Sequence, residues 1–404
     1  MADYHPGGDW VVVSTSGFQR LTFWPLRHAL PSAVPGYTPL ARPVAFSPDG
    51  RWLATGWADG KLRLWPMPGT GGRELKGLGS PPPPNLWTRI VFDPRGRYLF
   101  AVGMNDQAWI VPLDGSPPRS LPAYSGGTLL YAAAVSPSGR LVATAFSYGE
   151  GEKTLRVHDV EAGTTQVFPL PAPAPAAVAS SPSKRTGYEG GVVALAFADE
   201  STLYSGGDGG VRRWKLPAGS HETVWATDPG VIAGPVALGG SGPTALLGVW
   251  KSGTSYCLSV RTLDVVTGRS AASEGHGECP DGPQSLDLAG SGDVAVFGDR
   301  DGTIRVGPKD GGARHLLLGH EGVVDTVAIS PDRRWVASTG EDDTLRLWPM
   351  PDLTKPPLHT LPRAELIAKL HSLTNLRAVR DASSPTGGKI DLAPFPGWRD
   401  VPTW

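Results

Sequence analysis

Three features of the 404-residue sequence predict an all-β fold, a β-propeller of seven to eight four-stranded antiparallel blades. One string of residues returns along the chain at a blade-sized interval. Gly (53) and Pro (41) make up roughly 23 per cent of the chain, about double ordinary usage, while an apolar share of 40% is enough for a core. Short apolar runs bounded by tight-turn residues take the place of long helical periodicity.

The interval is clearest near the two ends of the repeat. Asp49 to Gly56 followed by Lys61-Leu62-Arg63-Leu64-Trp65-Pro66-Met67-Pro68 returns as Pro331 to Ser338 followed by Thr344-Leu345-Arg346-Leu347-Trp348-Pro349-Met350-Pro351. Weaker copies lie between, at Arg97–Val102, Leu141–Thr144, Leu203–Ser205, Ala245–Leu247 and Val294–Val296, and an opening unit spans Trp10 to Leu26. Anchoring the units on Trp24, Trp65, Val111, His158, Trp214, Leu263, Gly307 and Trp348 gives steps of roughly 41 to 56 residues, close to a four-strand blade. The longest step carries a Pro/Ala/Ser-rich insertion, 169–183, expected to be an exposed loop.

Strands within a unit follow from turn chemistry. Val44-Ala45-Phe46 runs into Ser47-Pro48-Asp49-Gly50, a tight turn, so Trp52–Gly56 must return antiparallel. The nearly continuous apolar character of that second strand implies cover on both faces, as for a blade between two neighbours. Ala58-Asp59-Gly60 turns the chain into a third strand, Leu62–Trp65, and the proline after each of Trp24, Trp65 and Trp348 lacks the N–H to extend it. Arg73-Glu74-Leu75-Lys76 is expected as a short fourth strand at the edge. The propeller is assigned to residues 1–361. Residues 362–404 form a tail predicted to pack on it: a helix with Leu366, Ile367, Leu370 and Leu373 on one side, then a hairpin of Leu376–Val379 and Lys389–Leu392.

Charge and cysteine content remove several function classes. Lys plus Arg (37) nearly balances Asp plus Glu (38), so no global field draws the chain to nucleic acid or to an anionic membrane. Cys257 and Cys279 are too few for a disulfide scaffold or a cysteine-built zinc site, although one bridge between them stays open. The start lacks the pattern of a signal peptide, and no run has the ~18 apolar residues of a membrane helix. The chain reads as soluble and cytoplasmic, or extracytoplasmic should a membrane span precede it.

These residues resemble the WD-repeat β-propellers. The last unit carries the resemblance furthest, with Gly319-His320, Ile329-Ser330-Pro331-Asp332, Ser338, Asp342 and Thr344-Leu345-Arg346-Leu347-Trp348. The resemblance implies that His320, Ser338, Asp342 and Trp348 form a structural hydrogen-bonded chain, and that Asp59, Asp208 and Asp301 are turn aspartates. Most units lack the Gly-His pair, and Pro replaces the aspartate after tryptophan. The closing residues, Leu345–Pro351 into Pro356-Pro357-Leu358-His359-Thr360-Leu361 and then Pro394-Phe395-Pro396-Gly397-Trp398, look like the WD-repeat regions behind the kinase domain of bacterial eukaryotic-like serine/threonine kinases. The chain itself has no glycine-rich nucleotide loop with a strand lysine, no His-Arg-Asp and no Asp-Phe-Gly. Ala2 to Trp10 aligns with Val44 to Trp52, so the chain begins inside a first strand, and an upstream portion is expected.

Chemistry is sparse. Ser338, His320 and Asp342 supply the residue types of a nucleophilic triad, but the repeat assigns them to structure and no Gly-x-Ser-x-Gly elbow is near. Asp299-Arg300-Asp301-Gly302 lacks the remaining ligands of a calcium loop and reads as a turn. No cofactor, metal or nucleotide site is predicted. Lys184-Arg185 in the insertion reads as a solvated spot. Trp57, Arg300 and Glu341 fall in or beside the turns before third strands, and aromatic residues and arginine favour binding hot spots, so these three are the candidate partner contacts. The function expected is a non-catalytic scaffold that binds a protein or peptide, a kinase or its substrates among them. The alternatives are a propeller-type enzyme, a hydrolase or lactonase, and a structural spacer.

Overall fold

The computed structural model describes residues 41–227, 258–366 and 368 except 58, 68–71, 77–86, 104–106, 123, 125–129, 148–150, 172–190, 273–282, 289–291 and 310. Strands 2–4, 10–14, 21–25, 34–35, 231–238, 244–251, 376–380 and 388–392 are described as backbone. Cys257, Cys279, Lys184, Arg185, most of the insertion and most of the predicted tail helix lie outside these residues.

Among the described residues, seven four-stranded antiparallel sheets follow one another. The first is Ala41–Phe46, Trp52–Trp57, Leu62–Pro66 and Arg73–Glu74; the second is Trp87–Phe92, Tyr98–Gly103, Ala108–Pro112 and Arg119–Ser120. The third comprises Ala132–Val135, Leu141–Ala145, Thr154–Asp159 and Thr165–Pro169, so the insertion begins after Pro169 instead of at it. Val192–Phe197, Thr202–Gly207, Gly210–Lys215 and Ser220–Trp225 make the fourth, and Val231–Leu238, Thr244–Lys251, Leu258–Asp264 and Ser270–Ala272 the fifth. The sixth is Pro283–Leu288, Val294–Asp299, Thr303–Pro308 and His315–Leu318. In the seventh, Val324–Ile329, Trp335–Gly340 and Thr344–Pro349 are joined by a fourth strand from the other end of the chain, Val34–Pro35, which pairs with Leu345 and Thr344.

The repeat is one of register as well as of sequence. In every sheet the anchor residue faces the same point of the second strand: Leu53↔Trp65, Leu99↔Val111, Val142↔His158, Leu203↔Trp214, Ala245↔Leu263, Ala295↔Gly307 and Val336↔Trp348. Third strands end at the prolines, as at Pro66 and Pro349, because the missing N–H cannot continue the ladder. The turns between first and second strands share one construction. Ser47 Oγ donates to Asp49 at 2.6 Å and accepts the Trp52 N–H at 3.0 Å, and Ser330 does the same with Asp332 at 2.6 Å and Trp335 at 2.9 Å. The next residue is left-handed in both, Gly50 at φ 68° and Arg333 at φ 57°.

The core lies between sheets. Leu62, Leu64 and Trp87 pack with Leu99 and Val111 across the first and second; Leu155 and Val157 pack with Leu195, Leu203 and Trp214 across the third and fourth. Second strands such as Val294–Asp299 are buried along their whole length, which explains why their apolar runs do not alternate. Val44 and Leu53 of the first sheet pack with Ala328, Ala337, Leu345 and Leu347 of the seventh, so the succession returns on itself. Each fully buried Leu or Phe side chain here stabilises the fold by about 1.5–3 kcal/mol.

The opening unit differs from its sequence expectation as a further blade. Ala2–Tyr4, Trp10–Ser14 and Leu21–Pro25 form a separate three-stranded sheet, and the next strand, Val34–Pro35, completes the seventh sheet instead. After the seventh sheet a 3-10 turn, Leu358–Thr360, leads to a short helical stretch, 363–366. Leu376–Arg380 then pairs antiparallel with Gly388–Leu392.

Candidate functional site

In six of the seven sheets the third strand carries an arginine two residues before its anchor, and in several of them the turn before the strand accepts from it. The position is Arg63, Arg156, Arg212, Arg261, Arg305 and Arg346, with Trp109 in the second sheet. Arg63 meets Asp59 at 2.6 Å, Arg156 meets Glu152 at 2.8 Å and Arg346 meets Asp342 at 3.2 Å. In the fourth sheet Arg212 donates to the Asp208 carbonyl at 3.1 Å. In the sixth the partner is Asp299, at 2.7 Å, while Asp301 accepts the Thr303 N–H at 2.9 Å within the turn. Burial pushes the Asp299 carboxyl up to about 6 against the pull of Arg305. The recurring Leu-Arg-Leu-Trp string spells two rungs of this ladder of arginines, at Arg63 and Arg346.

In the seventh sheet the turn supports a longer network. Trp348 Nε1 donates to Ser338 Oγ at 2.8 Å; Ser338 Oγ lies 2.7 Å from His320 Nε2, and His320 Nδ1 lies 2.9 Å from Asp342. The carboxylate can only accept, so Nδ1 carries the proton, Nε2 accepts, and the Ser338 hydroxyl donates to it. Every donor then has an acceptor with the imidazole neutral. Protonating it would turn Nε2 into a second donor toward Ser338 and leave the hydroxyl hydrogen without an acceptor. Burial lowers the His320 pKa, in keeping with that wiring. Burial also pushes Asp342 upward, but it is outweighed by hydrogen bonds from His320, Thr344 and the Glu321 N–H, which hold the carboxyl well below its ordinary range.

Ser338, His320 and Asp342 therefore stand in the relative order of a nucleophilic triad, but Ser338 is 0% exposed and its oxygen already accepts the Trp348 N–H. A nucleophile needs a path to its substrate, and this one has none. The glycine of the Gly-His pair is explained by space, since a Cβ on Gly319 would fall 2.8 Å from Arg346 Nη1 and 3.0 Å from the Trp348 ring, and Gly340 is kept by the same crowding, a Cβ there falling 2.8 Å from His320 Nδ1.

The first sheet satisfies the same hydroxyl differently. Thr55 Oγ1, in register with Arg63 as Ser338 is with Arg346, accepts the Trp65 N–H at 2.9 Å and the Trp57 N–H at 2.8 Å. Trp57 occupies the place of Gly340, filling the space that His320 takes in the seventh sheet. The Arg63 guanidinium lies 5.3 Å from its ring centroid. At 2% exposure Trp57 is a core side chain, which corrects its selection as a partner contact. The fourth sheet keeps the shorter form, Trp214 Nε1 to Ser205 Oγ at 2.8 Å. Arg300 and Glu341 occupy equivalent turn positions of the adjacent sixth and seventh sheets, half-buried and exposed respectively.

Residues 44–66 and 312–349 match the family profile described as WD domain, G-beta repeat. These matches support a WD-repeat family. They fall on the first three strands of the first sheet and on the seventh sheet with the strand before it, the two copies that read most alike in sequence. No curated protein matches the chain. WD-repeat domains are usually non-catalytic and mediate contacts between proteins. Among the described residues no His, Cys, Asp and Glu cluster could hold a metal, and no helix is long and apolar enough to cross a membrane.

Proposed function

We propose that the chain is a non-catalytic protein-interaction scaffold and serves as the regulatory or substrate-docking part of a bacterial serine/threonine kinase system in the cytoplasm. The observation that carries the scaffold reading is the sealing of the Ser338, His320 and Asp342 set inside a sheet that matches the WD repeat, with Ser338 fully buried. The kinase context is drawn from the likeness of Leu345–Pro351 and the segments after it to the regions that follow kinase domains. Arg300 and Glu341, on neighbouring turns of one rim, are the contacts assigned to the partner.

Affinity capture from the native cell extract, with Arg300→Ala and Glu341→Lys versions alongside, tests this reading. Recovery of a serine/threonine kinase or its substrates, reduced by either substitution, is the expected result. Partners recovered equally by all three versions would move the contact elsewhere on the surface. Recovery of no specific protein would favour a spacer.

A further inference from the structure

A second surface lies away from the turns that carry Arg300 and Glu341. Between the first and second sheets, on the side of the turns joining first to second strands, is a cleft of about 550 Å³. Its floor is apolar, made by Trp52, Leu64 and Leu113, side chains that belong to or pack on the core between these two sheets. Its walls carry two arginines. Arg73 stands on the edge strand of the first sheet, with its guanidinium 5.4 Å from the Trp52 ring centroid, and Arg95 stands on the turn of the second. Both are exposed.

The charge in the cleft is unbalanced. Its only lining carboxylate among the described residues, Asp49, is engaged inside its own turn: Ser47 donates to it at 2.6 Å, the Arg51 N–H at 3.0 Å, and the Arg51 side chain approaches to 3.4 Å. Hydrogen bonding from Ser47, first among these, holds its pKa below the ordinary value. Among the described residues neither Arg73 nor Arg95 has an ion-pair partner. Two cations lining a slot with an apolar floor, one on each sheet, make a receptor for an anion attached to an apolar group. Arg73 is already held over the Trp52 ring, so less side-chain freedom is lost when it binds a carboxylate.

We infer that this cleft is a peptide-docking site for an acidic, apolar segment of a partner protein, one large aliphatic or aromatic side chain entering over Trp52 and flanking Asp or Glu carboxylates pairing with Arg73 and Arg95. The inference rests on the interaction-scaffold reading and adds to it a site and a ligand chemistry. The volume suits one such side chain with adjoining backbone, and the paired arginines give the specificity that an apolar slot alone lacks.

The test is selection of displayed random dodecapeptides on the full-length protein, followed by titration of the enriched peptides against wild type, Arg73→Glu, Arg95→Glu and Arg300→Ala. Because Arg73 and Arg95 are exposed, circular dichroism should show all versions folded. Enriched peptides should carry an aromatic or aliphatic residue flanked by Asp or Glu. They should bind at least tenfold more weakly to either glutamate variant, lose as much when their carboxylates become amides, and be indifferent to Arg300→Ala. Enriched peptides that bind wild type and both glutamate variants alike would overturn the cleft while leaving the scaffold reading intact. Failure to enrich any peptide would overturn the cleft proposal, and the scaffold reading would then be decided separately by the capture experiment.

Discussion

Replacing Ser338 with alanine tests whether the buried network stabilises the seventh sheet or merely occupies it. The hydroxyl accepts from Trp348 Nε1 at 2.8 Å and donates to His320 Nε2 at 2.7 Å, and all three side chains are buried. Alanine leaves an indole N–H and an imidazole nitrogen without partners where water does not reach. At about 1–3 kcal/mol for each unsatisfied group, less the small gain from not burying a hydroxyl, the variant should lose about 2–4 kcal/mol. Packing changes little, so the loss should show as a lower urea midpoint with an unchanged slope, followed by far-UV circular dichroism. Trp348→Phe removes the donor first. In that background Ser338→Ala should cost about 1 kcal/mol less than in the wild type, since one of the two orphaned groups is gone. Additive effects, within about 0.5 kcal/mol, would refute the claim that the Trp348–Ser338 bond contributes to stability.

Further predictions follow from the same register. His320 has its pKa lowered by burial, so the unfolded chain binds this proton first; the stability it contributes is complete above about pH 6.5 and declines as pH falls below that value. Thermal midpoints measured from pH 7.5 to 5 should therefore fall, and His320→Gln should flatten that slope. Asp299, raised to about 6 by burial, has the opposite sign: its ionisation costs stability as pH rises from the ordinary carboxyl range through 6, so Asp299→Asn should steepen the gain in midpoint between pH 4 and 6. Gly340→Ala places a methyl 2.8 Å from His320 Nδ1 and 2.9 Å from the Val323 carbonyl, and should cost about 1–3 kcal/mol by chemical denaturation. Trp57→Ala empties a core position and should cost about 3–5 kcal/mol; retention of wild-type stability would show the ring to be dispensable.

Much of the fold was legible because the repeat states each strand several times. The turn Ser47–Gly50 and the prolines after Trp65 and Trp348 are chemical stops that read the same in isolation and in the sheet. The opening unit was less legible. Trp10–Leu26 has strand-like apolar runs, but whether three strands enter a ring depends on which edge the next strand joins, and Val34-Pro35 carries too little pattern to announce its pairing with Thr344 and Leu345. Among site residues, the His320 chain could be placed because its members recur in a known arrangement. Trp57 could not, since a tryptophan beside a turn has the same spelling whether it faces solvent or replaces a histidine. Only its neighbours in space, Thr55 and Arg63, tell the two apart.

Val34–Pro35 has a bearing on how the molecule is made. Its partners lie about three quarters of the chain away, so the last sheet cannot be completed on the ribosome until Leu345 has emerged. The seam that closes it consists of two paired positions and the apolar contact of the seventh sheet with the first. Six sheets can form in order as they are synthesised, each resting on the one before. The seventh waits. The boundary between it and the first sheet is then the last part to assemble and the first to part, and during that wait the face of Val44 and Leu53 stays exposed to whatever else in the cell recognises an open apolar sheet.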